Sequence, residues 1–298
     1  MNAPGDTPGK AGAAGGHRQT IEAACAILRA GGNAFDAVVA AGFVAVMDEP
    51  ALASLGGGGF LLARTAQGRA VLFDFFVNTP GHGLPTGRLE PHFLPVTVRF
   101  PASEQAFNVG LGSVAVPGAL RGYLHIHRRL GRLPLSAVLA PAIRLARDGV
   151  AINPKQAYLL DLLTPILTLT AAGRALFQPA GRFLQEGDVY RNPELAAFLE
   201  TLLQDGERAF YEGELAQRLT RDMRDGGGLL TIADLAVYRV IEREPLPAEY
   251  RGYRLLTNPP PSFGGSLLAL SLRLLEARSV AELGFGSPAH LALLTAVM

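Results

Sequence analysis

The sequence predicts an α+β chain, and three features carry that reading. Apolar residues recur at helical spacing over much of the length, beginning with Ile21, Ala24, Cys25 and Leu28 at i, i+3, i+4 and i+7. Two apolar stretches, 60–64 and 70–77, flank a turn at Gln67-Gly68 and form a hairpin that feeds a sheet. With 298 residues, 49% of them hydrophobic and only 18% charged, the chain can bury a sizeable core and still has apolar surface to cover.

Taken in order, residues 1–16 are rich in Gly, Ala and Pro and are expected to form a flexible N-terminus. They hold no apolar run of a secretory signal, and Gly9-Lys10 lacks the P-loop spacing. A helix starts near Thr20, with Cys25 as a small core hydrophobe on its stripe and Gly31 placed as a left-handed cap. Asn33 caps a second helix whose Phe35, Val38, Val39, Phe43, Val44 and Val46 leave little polar face, so it should be surrounded by protein. Glu49-Pro50 ends it. Asp48 and Glu49 stand where the helix dipole disfavours acids, which a nearby cation, a catalytic task or a solvated helix end would each explain. The glycines at 56–59 precede a strand rather than a helix, against a dinucleotide site, leaving tight packing or a turn of N–H groups that cradles an anion. Residues 78–107, punctuated by Pro80, Pro85, Pro91, Pro95 and Pro101, read as an irregular functional or edge loop.

A short strand at 113–118 leads into a helix over 119–130 and another over 134–148, and helical periodicity continues to about 225. A helical lobe over about 119–235 follows from this, its last helix opening at Thr231. Residues 250–256 read as one strand, 259–261 as a turn, and 266–276 as a long helix after Gly264-Gly265. Ser287 and Pro288 fit the N-cap and first turn of a final helix that stays apolar to Met298 without a stop signal, so the chain is expected to end inside a helix.

Composition excludes several function classes. A formal net charge of +1, from 27 basic and 26 acidic residues, argues against nucleic acid or anionic lipid as partner. The single Cys25 excludes a disulfide framework and a Cys-rich zinc site. Residues 34–47 are too few and carry Asp36, so no membrane span is expected. Nucleophile-elbow serine spacing is absent. His125 and His127, two apart on a helix, point to different faces, and His17, His82 and His92 read as solvated or capping groups, so neither metal nor cofactor is expected. The sequence as it stands reads as cytoplasmic, or as periplasmic or secreted if a signal peptide has been removed.

Residues Ala30-Gly31-Gly32-Asn33-Ala34-Phe35-Asp36-Ala37, then Glu49-Pro50, then Gly56-Gly57-Gly58-Gly59-Phe60, resemble the opening of the gamma-glutamyltransferase (gamma-glutamyltranspeptidase) family. The resemblance continues in order through Ser113-Val114-Ala115-Val116-Pro117-Gly118, Phe210-Tyr211-Glu212-Gly213, Gly227-Gly228-Leu229-Leu230-Thr231, Tyr250-Arg251-Gly252-Tyr253 and Pro260-Pro261-Ser262-Phe263-Gly264-Gly265. It implies an N-terminal-nucleophile hydrolase with an αββα sandwich, of which 17–298 would be the large-subunit part. It also implies a precursor that cleaves itself and a partner in its own small subunit. The substrate it implies is a small γ-glutamyl or acyl amide. In that chemistry a threonine newly exposed at a chain start uses its own α-amino group as base and carries the acyl group as an ester. No threonine here lies in the family's Thr-Thr-His context, so no catalytic residue is expected in this chain and it should be inactive alone.

One departure bears on substrate. The family carries an Arg-Glu-x-Ala-Pro segment whose arginine holds the α-carboxylate of the glutamyl group. Here Asp74 and Pro80 align with it, but Phe76 takes the arginine position and Val77 the glutamate position. Phe76, Val77 and Asn78 are therefore the expected substrate-pocket positions. Arg64, Arg69 or Arg99 could supply the charge from elsewhere, or the acyl group could be more apolar. A degenerate, non-catalytic binding or scaffold protein is the remaining alternative.

Overall fold

The computed structural model describes residues 11–85, 87, 89–179 and 181–298. The rest of the N-terminal segment expected to be flexible lies outside the described residues. In chain order the elements are α1 (Arg18–Arg29), α2 (Ala34–Asp48), β1 (Gly59–Arg64), β2 (Ala70–Phe75), β3 (Leu94–Phe100), β4 (Ser103–Val109), α3 (Ala119–Leu130) and α4 (Leu135–Asp148). They continue with β5 (Val150–Ala151), α5 (Pro154–Leu162), α6 (Thr164–Leu167), α7 (Ala171–Phe177), β6 (Val189–Tyr190), α8 (Pro193–Asp205), α9 (Arg208–Tyr211), α10 (Glu214–Asp225) and α11 (Ile232–Val237). The last are β7 (Ile241–Arg243), β8 (Leu246–Tyr250), β9 (Tyr253–Thr257), α12 (Phe263–Glu276) and α13 (Pro288–Val297). The α+β class holds. Contacts divide the chain into one unit running to Gly58 and over Phe76–Arg239, and a second made of Gly59–Phe75 and Val240–Met298.

The first unit is built on α2, which packs against α1, α3 and α4, while α4 also packs on α8. Asn33 caps α2 as its sequence predicts: its side chain accepts from the Phe35 and Asp36 amides, and Asp36 returns a bond to the Asn33 amide. Asp36 is fully buried because it has a second task, accepting from the Arg132 and Leu133 amides after α3. The buried face of α2 includes Val39, Phe43, Val44 and Met47, but Val38 remains half exposed, so the helix is not enclosed on all sides within its own unit.

Some expectations are corrected here. The buried residues of α1 are Ala23, Ala24 and Ile27, leaving Cys25 half-buried at the stripe's margin instead of in the core. Asp48 is not at a solvated helix end: it is fully buried against His17, and it accepts from the Thr20 amide at 3.1 Å. The neighbour is a histidine that the sequence presents as a solvated or capping group. Within 78–107, and on to 109, β3 and β4 form an antiparallel hairpin, with Phe100 opposite Ser103 across Pro101 and Ala102. Val96, Val98 and Phe100 alternate inward along β3, and Pro95 is tolerated on a strand with a free edge.

In the second unit β2 lies between β1 and β7, antiparallel to both. Glycine is needed at position 59, where an added Cβ would stand 2.9 Å from the Phe75 ring across the ladder. The strand at 70–77 ends at Phe75, where its pairing with Gly59 ends. Residues 250–256 are not one strand but the hairpin β8–β9, since Arg251 (φ 50°) and Gly252 (φ 80°) both take the left-handed turn conformation between Tyr250 and Tyr253. Helix α12 begins at Phe263, taking the two glycines into its first turn, and packs on β8. Ser287 caps α13 by accepting from the His290 amide, with Pro288 in the first turn.

Candidate functional site

The expected pocket positions follow the end of β2. Phe76 is 45% exposed, Val77 is partly buried and Asn78 is exposed. Their backbone is fixed from several sides. Asn78 and Val116 exchange both backbone hydrogen bonds, at 3.3 and 2.8 Å. The Tyr238 hydroxyl donates to the Phe76 carbonyl at 2.7 Å. Further on, the Gly81 and His82 amides both donate to the Asp234 carboxylate at 2.9 Å, and the Thr231 hydroxyl donates to the His82 carbonyl. Thr231 can do this because it is the N-cap of α11, with Asp234 completing the capping box.

The strand at 113–118 that Val116 belongs to in the sequence reading is reduced to that one bridge. The Gly118 and Ala119 amides, free at the start of α3, donate to the Gly57 carbonyl at 2.9 Å. The glycine loop therefore docks through a carbonyl, and its Gly56 and Gly57 amides bond back to Ser54. Tight packing is the reading this supports. Three stretches thus meet: 54–57, 76–82 and 116–119.

Beneath them lies a buried polar group that sequence reasoning missed. Arg121, 7% exposed, donates to the Tyr238 carbonyl at 2.5 Å and contacts Glu207 at 3.4 Å, and its guanidinium lies 3.8 Å over the Tyr211 ring. The Tyr211 hydroxyl donates to the Pro117 carbonyl at 3.0 Å and accepts from the Arg121 amide. Burial is the main cause that pushes the Tyr211 phenol up to about 12, partly offset by the Arg121 amide and charge. The available signal was an arginine between Leu120 and Leu124 on the buried face of α3.

The arginines that could stand in for a carboxylate clamp belong to the β1–β2 and β3–β4 hairpins. Arg64 and Arg69 lie at the far end of the β1–β2 ladder from Phe75, roughly 20 Å along the strand. With Arg243, Arg254, Glu242 and Glu244 they line a cleft of about 690 Å³ in the second unit. Arg99 pairs with Glu104 across its own hairpin at 2.9 Å, and Arg243 is held by Asp74 at 2.8 Å. Among the described residues no cluster of His, Cys, Asp and Glu is arranged to hold a metal, and no helix is long and apolar enough to cross a membrane.

Comparison with known proteins places this geometry. The gamma-glutamyltranspeptidase family model matches residues 20–298. The chain is 35% identical over 264 residues to the glutathione hydrolase proenzyme of Escherichia coli (strain K12), covering 88% of this chain and 44% of that protein. It is 37% identical over 274 residues to the acylase ACY 1 proenzyme of Pseudomonas sp. (strain V22), covering 91% of this chain and 48% of that one. The chain thus spans under half the length of these relatives. Its fold matches the crystal structure of Helicobacter pylori gamma-glutamyltranspeptidase with a TM-score of 0.83 at 29% identity, over 99% of this chain and 82% of that one. A family model matched from Thr20 to the last residue, on a chain whose collinear motifs occupy their expected places, establishes that this chain belongs to the gamma-glutamyltranspeptidase family.

Proposed function

We propose that residues 17–298 are the large-subunit region of an enzyme that moves an acyl group from an amide to water or an amine, with the acyl pocket walled by Phe76, Val77 and Asn78. The nucleophilic threonine belongs to a small subunit outside these residues. Its hydroxyl oxygen attacks the amide carbonyl while its α-amino group takes the proton. The amine leaves with that proton, and water or a second amine then attacks the ester and releases the acyl group.

The observation that carries the substrate reading is the half-exposed Phe76 at the family's arginine position, with Arg99 paired to Glu104, Arg243 paired to Asp74, and Arg64 and Arg69 lining the cleft of the second unit. A buried carboxylate without a cation is costly, so the acyl group taken here is more apolar than γ-glutamyl. The name of the acylase relative accords with this, and that of the glutathione hydrolase keeps a γ-glutamyl substrate as the second reading. The test uses the complete self-processed protein with γ-glutamyl-anilide against aliphatic acyl-anilides. Higher kcat/KM for the aliphatic series is expected, and Phe76→Arg should raise γ-glutamyl turnover at least tenfold. Efficient γ-glutamyl turnover by the unaltered protein would overturn the apolar reading, and absence of self-cleavage would favour a non-catalytic scaffold.

A further inference from the structure

We propose that Tyr238 is a positioning residue for the acyl pocket, its hydroxyl holding the Phe76 carbonyl and so setting where the Phe76 ring stands. This role rests on the reading of 76–78 as pocket wall. Past Phe75 the β2 ladder is gone, and the chain next pairs at Asn78 with Val116. Between those two points the Tyr238 hydroxyl reaches in, 162 positions away in sequence, and donates to Phe76 at 2.7 Å.

The donor is presented from a rigid base. Tyr238 is 2% exposed, and its own carbonyl accepts from Arg121 at 2.5 Å and from Arg239 at 2.7 Å. Its ring lies nearly parallel to that of Tyr211, with centroids 6.3 Å apart and planes 15° apart. Tyr211 is itself fixed by the Pro117 carbonyl and by the Arg121 guanidinium over its face. Asp234 in α11 holds the Gly81 and His82 amides, so one short stretch, 231–238, holds the chain at residue 76 and again at 81 and 82. A buried tyrosine commonly satisfies its hydroxyl with whatever carbonyl is near. What separates a positioning role from that is whether the wall moves, and the substrate preference with it, when the donor is lost.

These 298 residues contain no tryptophan, and Phe76→Trp installs a reporter at the pocket wall whose signal is read as the difference from the same protein carrying Phe76. The measurements are made on the complete self-processed protein. On the Phe76→Trp background, Tyr238→Phe keeps the ring, removes the donor, and is expected to raise acrylamide quenching and lower the anisotropy of the indole at 76. With Phe76 intact, Tyr238→Phe should raise KM for an aliphatic acyl-anilide about three- to tenfold, the worth of one neutral hydrogen bond, with kcat changed less than about twofold. Tyr190→Phe, which alters another buried tyrosine, should leave both readouts unmoved. Unchanged quenching and KM in Tyr238→Phe, or an equal KM rise in Tyr190→Phe, would overturn the role. A loosened indole with unchanged KM would overturn it too, by removing 76–78 from the pocket. Should the unaltered protein turn over no acyl-anilide, the functional reading fails, while the quenching comparison still decides whether Tyr238 holds residue 76.

Discussion

Tyr211 shows how a single side chain serves a surface it never reaches. It is fully buried, donates to Pro117, accepts from the Arg121 amide and lies beneath the Arg121 guanidinium. Tyr211→Phe leaves the Pro117 carbonyl and that amide without their partner and should cost about 1–3 kcal/mol, read from the midpoint of urea unfolding. The pH dependence has a definite sign. The folded phenol, pushed up to about 12, lies above the unfolded value of about 10, so its contribution is full below about pH 10 and is lost as pH rises through about 12. Spectrophotometric titration should show this tyrosine ionising late, and Tyr211→Phe should remove that late step. None of this was legible in the sequence. Tyr211 and Arg121 stand 90 positions apart, and Tyr238 and Phe76 stand 162 apart, whereas periodicity and capping rules see only a few residues at a time.

At the scale of elements, the legible features are those whose causes are local. Asn33 caps α2, Thr231 caps α11 and Ser287 caps α13 because each side chain bonds an amide two or three positions on. The hairpin at 94–109 was hidden by prolines that usually mark loops, although Val96, Val98 and Phe100 alternate as a strand should. The β8–β9 turn was hidden for another reason: Tyr250 and Tyr253 look like one strand until Arg251 and Gly252 are seen to be left-handed. Gly252→Val should therefore destabilise this hairpin by about 1–2 kcal/mol, through backbone strain with no neighbour to clash against. Faster amide exchange across 246–257, with exchange in α1 to α4 unchanged, is the expected signature. Uniformly faster exchange would mean that the turn matters to the whole chain.

For the whole molecule, the apolar excess seen in the composition has an address. Helix α12 has Gly265 as its buried residue, while Phe263, Leu267, Leu268, Leu270 and Leu274 are each between 46% and 77% exposed. Phe285 and Leu291 are also exposed in the same unit. Contiguous apolar surface of this kind is seldom left bare in a soluble monomer. The 298 residues expressed alone should bind a hydrophobic dye and elute as more than one species in size-exclusion chromatography. Changing Leu270 and Leu274 together to lysine should reduce both. A monodisperse monomer without dye binding would show that this face tolerates water.

The central strand β2 pairs on one side with β1, made just before it, and on the other with β7, as the Asp74–Arg243 pair shows across 169 positions. A ribosome adding about 5–20 residues per second needs roughly 8–34 seconds to cover that interval. Through that time the 59–75 hairpin waits as a nascent two-stranded ribbon, with the far side of Leu72, Phe73 and Asp74 unmated. A pair of strands alone is marginal in water, and its open edge invites wrong partners. Biosynthesis of this protein therefore contains a timed vulnerability, during which that edge must stay open without mispairing or a chaperone must shelter it.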